Sequence, residues 1–306
     1  MDFLIDAENS GRPVRDFLKK QHISAALCTR LKQRDDGILL NGTRVTVRAV
    51  LHEGDVLSLA LYDAEPNPKI RPLAVAVEVL LETPEFVAVN KPPYMPTHPS
   101  HGHYDDTLAN ALVYHYRAAA YCFSPRFVNR LDRNTSGVVL VAKHAHAAAQ
   151  LAGQIAACEM QKTYYAVLEG SFTHQTVLKT GIRRQQESVI TREVCAKDEG
   201  DLAITEVLPL LIANGHTLVE LRPRTGRTHQ LRVHMASLGT PIVGDDLYGR
   251  ASPLIGRHAL HAATLCFRAS NGALITVKAP LPPDMLSLIA AIFGEEGTTL
   301  VKTVIS

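Results

Sequence analysis

The sequence predicts an α+β protein: a large domain with a mixed, largely antiparallel central β-sheet flanked by helices, preceded by a small α/β module. Three observations predict this. Strand-like runs between residues 163 and 224 (TYYAVLEG, AITEVLPLL, TLVELRPR) follow one another with no helix-like run between them. Elsewhere after residue 75, strand-like and helix-like runs alternate. A proline-rich break at 62–75, YDAEPNPKIRPLAV, separates this region from what precedes it, because Pro66, Pro68 and Pro72 lack a donor N–H and restrict their neighbours.

The elements justify themselves in chain order. Residues 1–62 form the small module. In GRPVRDFLKKQ, Val14, Phe17 and Leu18 fall at helical spacing, and ISAALCTRLKQRD follows with Ser24 as N-cap. DDGILLNGTRVTV reads as a hairpin turning at Asn41-Gly42, and HEGDVLSLAL as a further turn and strand. Residues 63–74 are the linker and 75–296 the large domain. Its strands begin with VAVEVLLE and FVAVNKP; DTLANALVYHYRAA is a helix, GVVLVAK a strand and HAAAQLAGQIAACEM a helix. THQLRVHMASLG reads as a helix capped by Thr228, ATLCFRASNGALITVKAP as a hairpin turning at Asn271-Gly272, and PDMLSLIAAIFG as the closing helix. Residues 297–306 are a tail.

Bulk properties narrow the class. With 306 residues, 46% apolar and 20% charged, the chain can bury a sizeable core and does not read as disordered. Cys28, Cys122, Cys158, Cys195 and Cys266 are odd in number and contain no C-x-x-C pair, which argues against a disulfide framework and a thiolate zinc site. The N-terminus carries acids and no apolar run, and no stretch approaches the ~20 apolar residues that span a bilayer. A soluble, cytoplasmic monomer without an obligate protein partner is expected. The net charge of +2 does not by itself declare a nucleic-acid binder, but basic residues are concentrated. Lys19, Lys20, Arg30, Lys32 and Arg34 flank or lie on the two short helices, where they suit phosphate contacts. A solvated helical face is the plainer alternative.

Four stretches carry candidate chemistry. In FVNRLDRNTSG (127–137), Asp132 lies between arginines at the entry to a strand. It can cap a turn through Thr135 and Ser136, or serve as a carboxylate held ionised by guanidinium groups and used as nucleophile or base. LRPRTGRTHQLRVHMASLG (221–239) holds Arg222, Arg224, Arg227 and Arg232 with His229 and His234 and no acid, a set suited to bidentate anion contact. Alternation along QKTYYAVLEG places Tyr164 and Tyr165 on opposite faces, one for the core and one available to stack on a base. The loop VNKPPYMPTHPSHGHYDDT contains Lys91, which either contacts phosphate or closes a turn. Its His98, His101 and His103 suggest a metal, but an H-x-H in a flexible loop with no third ligand at hand is weak evidence, so no metal site is expected. No G-x-G-x-x-G or Walker pattern supports a nucleotide cofactor.

Taken together and in this order, these stretches resemble the RluA family of pseudouridine synthases. RLDRNTSG (130–137) matches the family's R-L-D-x-x-T-S-G signature, VAVNKPPYMPTHP (87–99) its N-K-P opening, KTYYAVLE (162–169) its K-x-Y strand, and TGRTHQLRVHMASLGTPIVGDDLYG its final long motif. The likeness covers roughly residues 75–280. The first 62 residues are similar to the αL RNA-binding module that often precedes this domain. Two positions depart from the common pattern: Asn129 stands where histidine precedes R-L-D, and Tyr94 where glycine follows K-P-x.

The resemblance implies a pseudouridine synthase fold acting on structured RNA, ribosomal or transfer, without cofactor or metal. It makes Asp132 the catalytic aspartate, Tyr164 the base-stacking residue and Arg227 the arginine that pairs with Asp132. It places Arg130 against the RNA beside a flipped nucleotide, with Lys91, Thr135, Arg222, Arg224, His229, Arg232 and the basic module around it. A non-catalytic RNA-binding or ribosome-assembly factor with the same fold is the competing expectation, and a metal-dependent hydrolase built on the histidine-rich loop is the third.

Overall fold

The computed structural model describes residues 1–65, 67–186, 188 and 190–305, with side chains to residue 303. Pro66, one of the linker prolines, and the end of the expected tail lie outside the described residues. The first 61 residues build their own sheet and core. Strands β1 (Asp2–Leu4), β2 (Ile38–Leu40), β3 (Thr43–Arg44) and β4 (Val56–Leu59) pair antiparallel in the order β1-β4-β2-β3. The β2–β3 turn places Asn41 and Gly42 at φ 51° and 78°, as a two-residue hairpin with positive φ at both positions requires. Helices α1 (Val14–Lys20) and α2 (Ala25–Gln33) cover the sheet. Ser24 Oγ accepts from Leu27 N at 3.2 Å, so the serine caps α2 as its sequence position suggests. Val14, Phe17, Leu18, Leu27 and Leu31 pack with Ile38, Leu57 and Leu59 in a core separate from that of the rest of the chain.

The segment after β4 is tied to the larger body. Both oxygens of Asp63 accept from Arg126 at 2.7 Å, the Tyr62 ring stacks on Tyr121 at 4.1 Å, and Tyr62 Oη donates to Pro84 O at 2.8 Å. Arg34 belongs to this junction. Its guanidinium donates to Asp36 at 2.8–2.9 Å and to Tyr62 O at 2.8 Å. That corrects the expectation that Arg34 grips phosphate, since its donors are committed within the chain.

The remaining eleven strands form one sheet. They are β5 (Glu78–Glu82), β6 (Phe86–Lys91), β7 (Arg126–Phe127), β8 (Ser136–Ala142), β9 (Gln161–Glu169), β10 (Thr176–Arg184), β11 (Arg192–Cys195), β12 (Asp201–Ala213), β13 (His216–Pro223), β14 (Leu260–Arg268) and β15 (Leu274–Lys278). The main path runs β11-β10-β12-β13-β9-β14-β8-β6-β5, with β15 on β14 and β7 on β8. The β8–β14 pair is parallel and the other pairings are antiparallel. This is the mixed, largely antiparallel sheet that helix-free runs of strands imply. All seven residues of β8 are buried, as a central strand covered on both faces demands. Alternation divides β6 and β8 between two cores. Val87, Val89, Val139 and Val141 meet α3 (Leu108–His115) and α6 (Pro283–Ile305); Phe86, Ala88, Val138, Leu140 and Ala142 meet α4 (Ala145–Ala156). The segment expected as a tail instead continues α6 beyond a break at Gly294 (φ 62°, ψ −147°), because Val301, 1% exposed, packs into the main core.

The start of β8 depends on one glycine. Gly137 has φ +116°, and a Cβ there would lie 2.1 Å from Ala262 O in the adjacent β14. We predict that Gly137→Ala destabilises the fold by upwards of about 3 kcal/mol, since strained backbone alone accounts for about 1–3 kcal/mol before the clash. A denaturant midpoint equal to that of the unsubstituted chain would show that β8 and β14 can separate without cost.

Candidate active site

The strand edge at Gly137 fixes the loop that precedes it. Residues 128–135 leave β7, cross the end of the sheet and enter β8, and their carbonyls are held on both sides of Asp132. Thr97 Oγ1 donates to Leu131 O at 2.8 Å, Lys91 Nζ to Arg133 O at 3.1 Å and Arg257 Nη1 to Asn134 O at 3.0 Å. Asn129 substitutes for a strand neighbour, donating to Val138 O at 3.0 Å and accepting from Leu140 N at 2.7 Å. A loop whose backbone polar groups are satisfied in this way holds its side chains in one place.

Lys91 is 0% exposed, and its Nζ also donates to Pro92 O and Met95 O at 2.8 Å. The expectation of a phosphate contact is therefore corrected: the ammonium commits its hydrogens to three carbonyls and joins two loops beneath the site. Burial lowers its pKa to about 7, against the pull of Asp132. Thr135 is likewise internal, 2% exposed with Oγ1 2.8 Å from His258 Nε2, and lies on the wall of the cleft that Asp132 faces. Tyr94, in the loop that Lys91 holds, has φ 65°, a left-handed conformation that explains why glycine suits this position.

The Asp132 carboxylate stands on the wall of a cleft of about 450 Å³, within the size range of ligand pockets. The cleft is lined by Arg130, Tyr164, Arg227, His229, Leu231 and Arg232 among others. Tyr164 is 9% exposed, and burial, with the charge of Asp132 added, pushes its phenol well above the ordinary range, so it is a neutral ring and hydroxyl at the cleft wall. Tyr165 is the core tyrosine. It is 3% exposed, and burial beside Glu220 pushes it up to about 12. Arg130 is exposed and borders the cleft.

The guanidinium that faces Asp132 belongs to Arg232, with Nη1 3.4 Å from Oδ2. The expectation that Arg227 holds this role is corrected. Arg227 sits exposed at the cleft rim and donates Nε to Leu202 O at 3.0 Å. The reason lies in where the helix starts. Thr228 does not cap it: α5 spans Gln230–Ser237, preceded by His229 in the left-handed conformation (φ 58°, ψ 15°). Arg227 therefore lies before the helix, where its N–H is taken by Gln230 Oε1 at 3.0 Å, while Arg232 projects from the first turn. His229 Nε2 lies 4.0 Å from the same Asp132 Oδ2, so residues 229 and 232, three apart, meet one oxygen.

Arg232 is held from behind. Asp245, 0% exposed, accepts from its Nε and Nη2 at 2.7 and 2.8 Å and also from Leu247 N and Tyr248 N at 3.2 Å. Burial opposes both charges. Their mutual bond outweighs it, leaving the Asp245 pKa below and the Arg232 pKa above their ordinary values. Sequence reasoning missed Asp245 and Tyr248. The available signal was an acid in the tight turn GDDLYG, close behind a helix that has arginine and no acid of its own. Of the other basic candidates, Arg222 is bound to Glu220 at 2.5 Å and Lys20 to Glu8 at 2.8 Å, while Arg224, Lys19, Arg30 and Lys32 are exposed. In the histidine-rich loop, His103 pairs with Asp106 at 2.6 Å and His98 lines the cleft beside Phe127. Among the described residues no helix is long and apolar enough to cross a membrane.

Known proteins resemble this chain along most of its length. Residues 85–237 match the family of RNA pseudouridylate synthases. The Bacillus subtilis protein named uncharacterized RNA pseudouridine synthase YjbO is 34% identical over 278 residues, 90% of this chain and 98% of its own. Ribosomal large subunit pseudouridine synthase D of Xylella fastidiosa is 34% identical over 274 residues, 83% of this chain and 81% of its own. Among solved structures, human RNA pseudouridylate synthase domain containing 1 superposes with a TM-score of 0.59 at 27% identity, covering 74% of this chain and 90% of that one.

Proposed function

The chain belongs to the RluA-type RNA pseudouridylate synthases, and from that premise we propose that Asp132 carries the isomerisation of uridines in large-subunit ribosomal RNA. The observation that supports this reading best is the Asp132 carboxylate 3.4 Å from Arg232 on the wall of a cleft of about 450 Å³. The substrate follows the name of relatives such as the Xylella protein.

The reaction breaks the bond between uracil N1 and ribose C1′, turns the base, joins C5 to C1′, and moves a proton from C5 to N1. Atoms and electrons balance without a cofactor. Asp132 either attacks C1′ or takes the neighbouring ribose proton. Both routes need the carboxylate unprotonated, oriented, and screened from water that would intercept the sugar. Arg232 orients it and places a positive charge beside it. A uridine in folded RNA reaches such a cleft only when flipped out, at a cost of a few kcal/mol. Tyr164 stacks on the flipped base, Arg130 enters the space it leaves, and the basic residues Lys19, Arg30 and Lys32 grip phosphate. Such contacts make binding salt-sensitive.

The test uses RNA tritiated at uracil C5 from a strain lacking this protein. Release of tritium into water is expected with large-subunit ribosomal RNA and not with transfer RNA, and Asp132→Ala releases none. Equal, negligible release by both proteins, with RNA binding intact, would establish the non-catalytic binding factor instead. Release from transfer RNA alone would reassign the substrate.

A further inference from the structure

His229 occupies a left-handed backbone conformation that few non-glycine residues adopt (φ 58°, ψ 15°), and its imidazole is held at both ends. Nδ1 lies 2.8 Å from Tyr248 Oη, and Nε2 lies 4.0 Å from Asp132 Oδ2. Tyr248 Oη also accepts from the backbone N–H of Arg192 on β11 at 2.8 Å. A phenol has one hydrogen, and an amide can only donate. With Oη already accepting from the amide, its own hydrogen is free to be donated to Nδ1, and in that arrangement Nδ1 accepts and the proton of the neutral ring sits on Nε2. Arg232 Nη1 approaches Oδ2 as well, at 3.4 Å, and among the described residues no side chain bonds Oδ1.

We infer that His229 is a positioning residue for Asp132, its Nε2–H aimed at Oδ2 by the Arg192–Tyr248 relay so that Oδ1 is the oxygen that meets the ribose. This rests on the reading that Asp132 does the chemistry. The 4.0 Å separation is longer than a hydrogen bond, as catalytic contacts often are before substrate closes the site. One segment supports both donors: Asp245 holds Arg232, and Tyr248, three residues later, holds His229.

The relay works with a neutral ring. Burial lowers the His229 pKa. Arg232 on α5 and Arg192 on β11 push the same way, while Asp132 in the loop and Asp245 in the turn oppose them, and the net value lies below 6.5. As pH falls through that lowered value the ring becomes an imidazolium, Nδ1 turns donor, and Tyr248 must reverse. A full positive charge then pins the carboxylate. The histidine's share of the pH dependence should therefore be a fall in activity on the acid side, below pH 6.5.

Three variants test this by single-turnover kinetics, with thermal melting as the control on folding. Asn suits a left-handed backbone better than Gln, but its amide nitrogen reaches the Nδ1 position, whereas that of Gln reaches Nε2. H229N is expected to lose about 10- to 100-fold in kcat with KM unchanged, the scale on which outer partners of a reacting group act. H229Q recovers most of that loss and loses the histidine's contribution to the acid limb. Y248F, with the relay cut, loses about tenfold in kcat at constant KM. Equal rates for H229N and H229Q, or an acid limb unchanged in H229Q, overturns the inference. If H229Q fails to fold, wild-type kcat and pH profile in Y248F overturn it. Asp132→Asn in the same assay separates the two levels: turnover in that variant sinks the Asp132 reading itself, while its absence with indifferent His229 variants sinks only this inference.

Discussion

Asp132→Asn removes pseudouridine formation, with a loss on the order of 10⁴-fold or more, and leaves the fold and RNA binding in place. The change is isosteric and deletes one charge and the lone pair that attacks C1′ or takes a proton. Stability should barely move, for three reasons. Asp132 has a side chain 22% exposed, so its ion pair with Arg232 is partly screened by solvent. Arg232 keeps its bidentate partner Asp245. The loop is anchored by main-chain carbonyls at 131, 133 and 134, not by the carboxylate. Pseudouridine mapping on ribosomal RNA together with a filter-binding titration checks both halves. Residual turnover above about one part in a hundred would mean that another group carries the step, because loss of an essential nucleophile or base costs far more than that.

This separation between what holds the loop and what reacts explains which parts were legible in the sequence. Asp132 and Tyr164 both stand on the cleft wall, as the R-L-D-R-N-T-S-G and K-T-Y-Y runs suggest, because each position depends on a short contiguous stretch: a loop entering β8, and alternation along β9. The hairpin at Asn41-Gly42 and the Ser24 cap are local for the same reason. Arg227 and Arg232 could not be told apart this way. They are five residues apart in a basic run, and the choice is made by a left-handed His229 that delays the helix until Gln230. Lys91 and Arg34 read as surface cations because a lysine or arginine usually is one. Lys91 is buried and Arg34 partly covered, and what engages each is a carbonyl from a distant segment, Arg133 for one and Tyr62 for the other. Asp245 and Tyr248 lie 113 and 116 residues beyond Asp132, and only tertiary packing brings them behind its donors. Contact, not order along the chain, defines that half of the site.

The Arg232–Asp245 pair turns that contact into a second large effect, one that divides stability from activity. Asp245 is 0% exposed and Arg232 6%. Asp245→Ala alone leaves a buried guanidinium whose remaining anion is Asp132, and Arg232→Met alone leaves a buried carboxylate with none from that side. Each single change should cost about 3–5 kcal/mol of stability, as breaking a buried ion pair does. In Asp245→Ala the guanidinium is also drawn onto Asp132, ties up the reacting carboxylate, and lowers turnover beyond what instability explains. The double variant Arg232→Met/Asp245→Leu removes both charges and fills the space with apolar atoms. It should regain most of the lost stability, a non-additive coupling of several kcal/mol, because neither ion is left stranded. Activity should not return with it, since Asp132 then has no guanidinium beside it. Denaturant melts and single-turnover rates on the four proteins make the comparison. Additive destabilisation would show that the pair is not the structural unit its geometry indicates. Recovery of turnover in the double variant would show that Asp132 needs no guanidinium beside it.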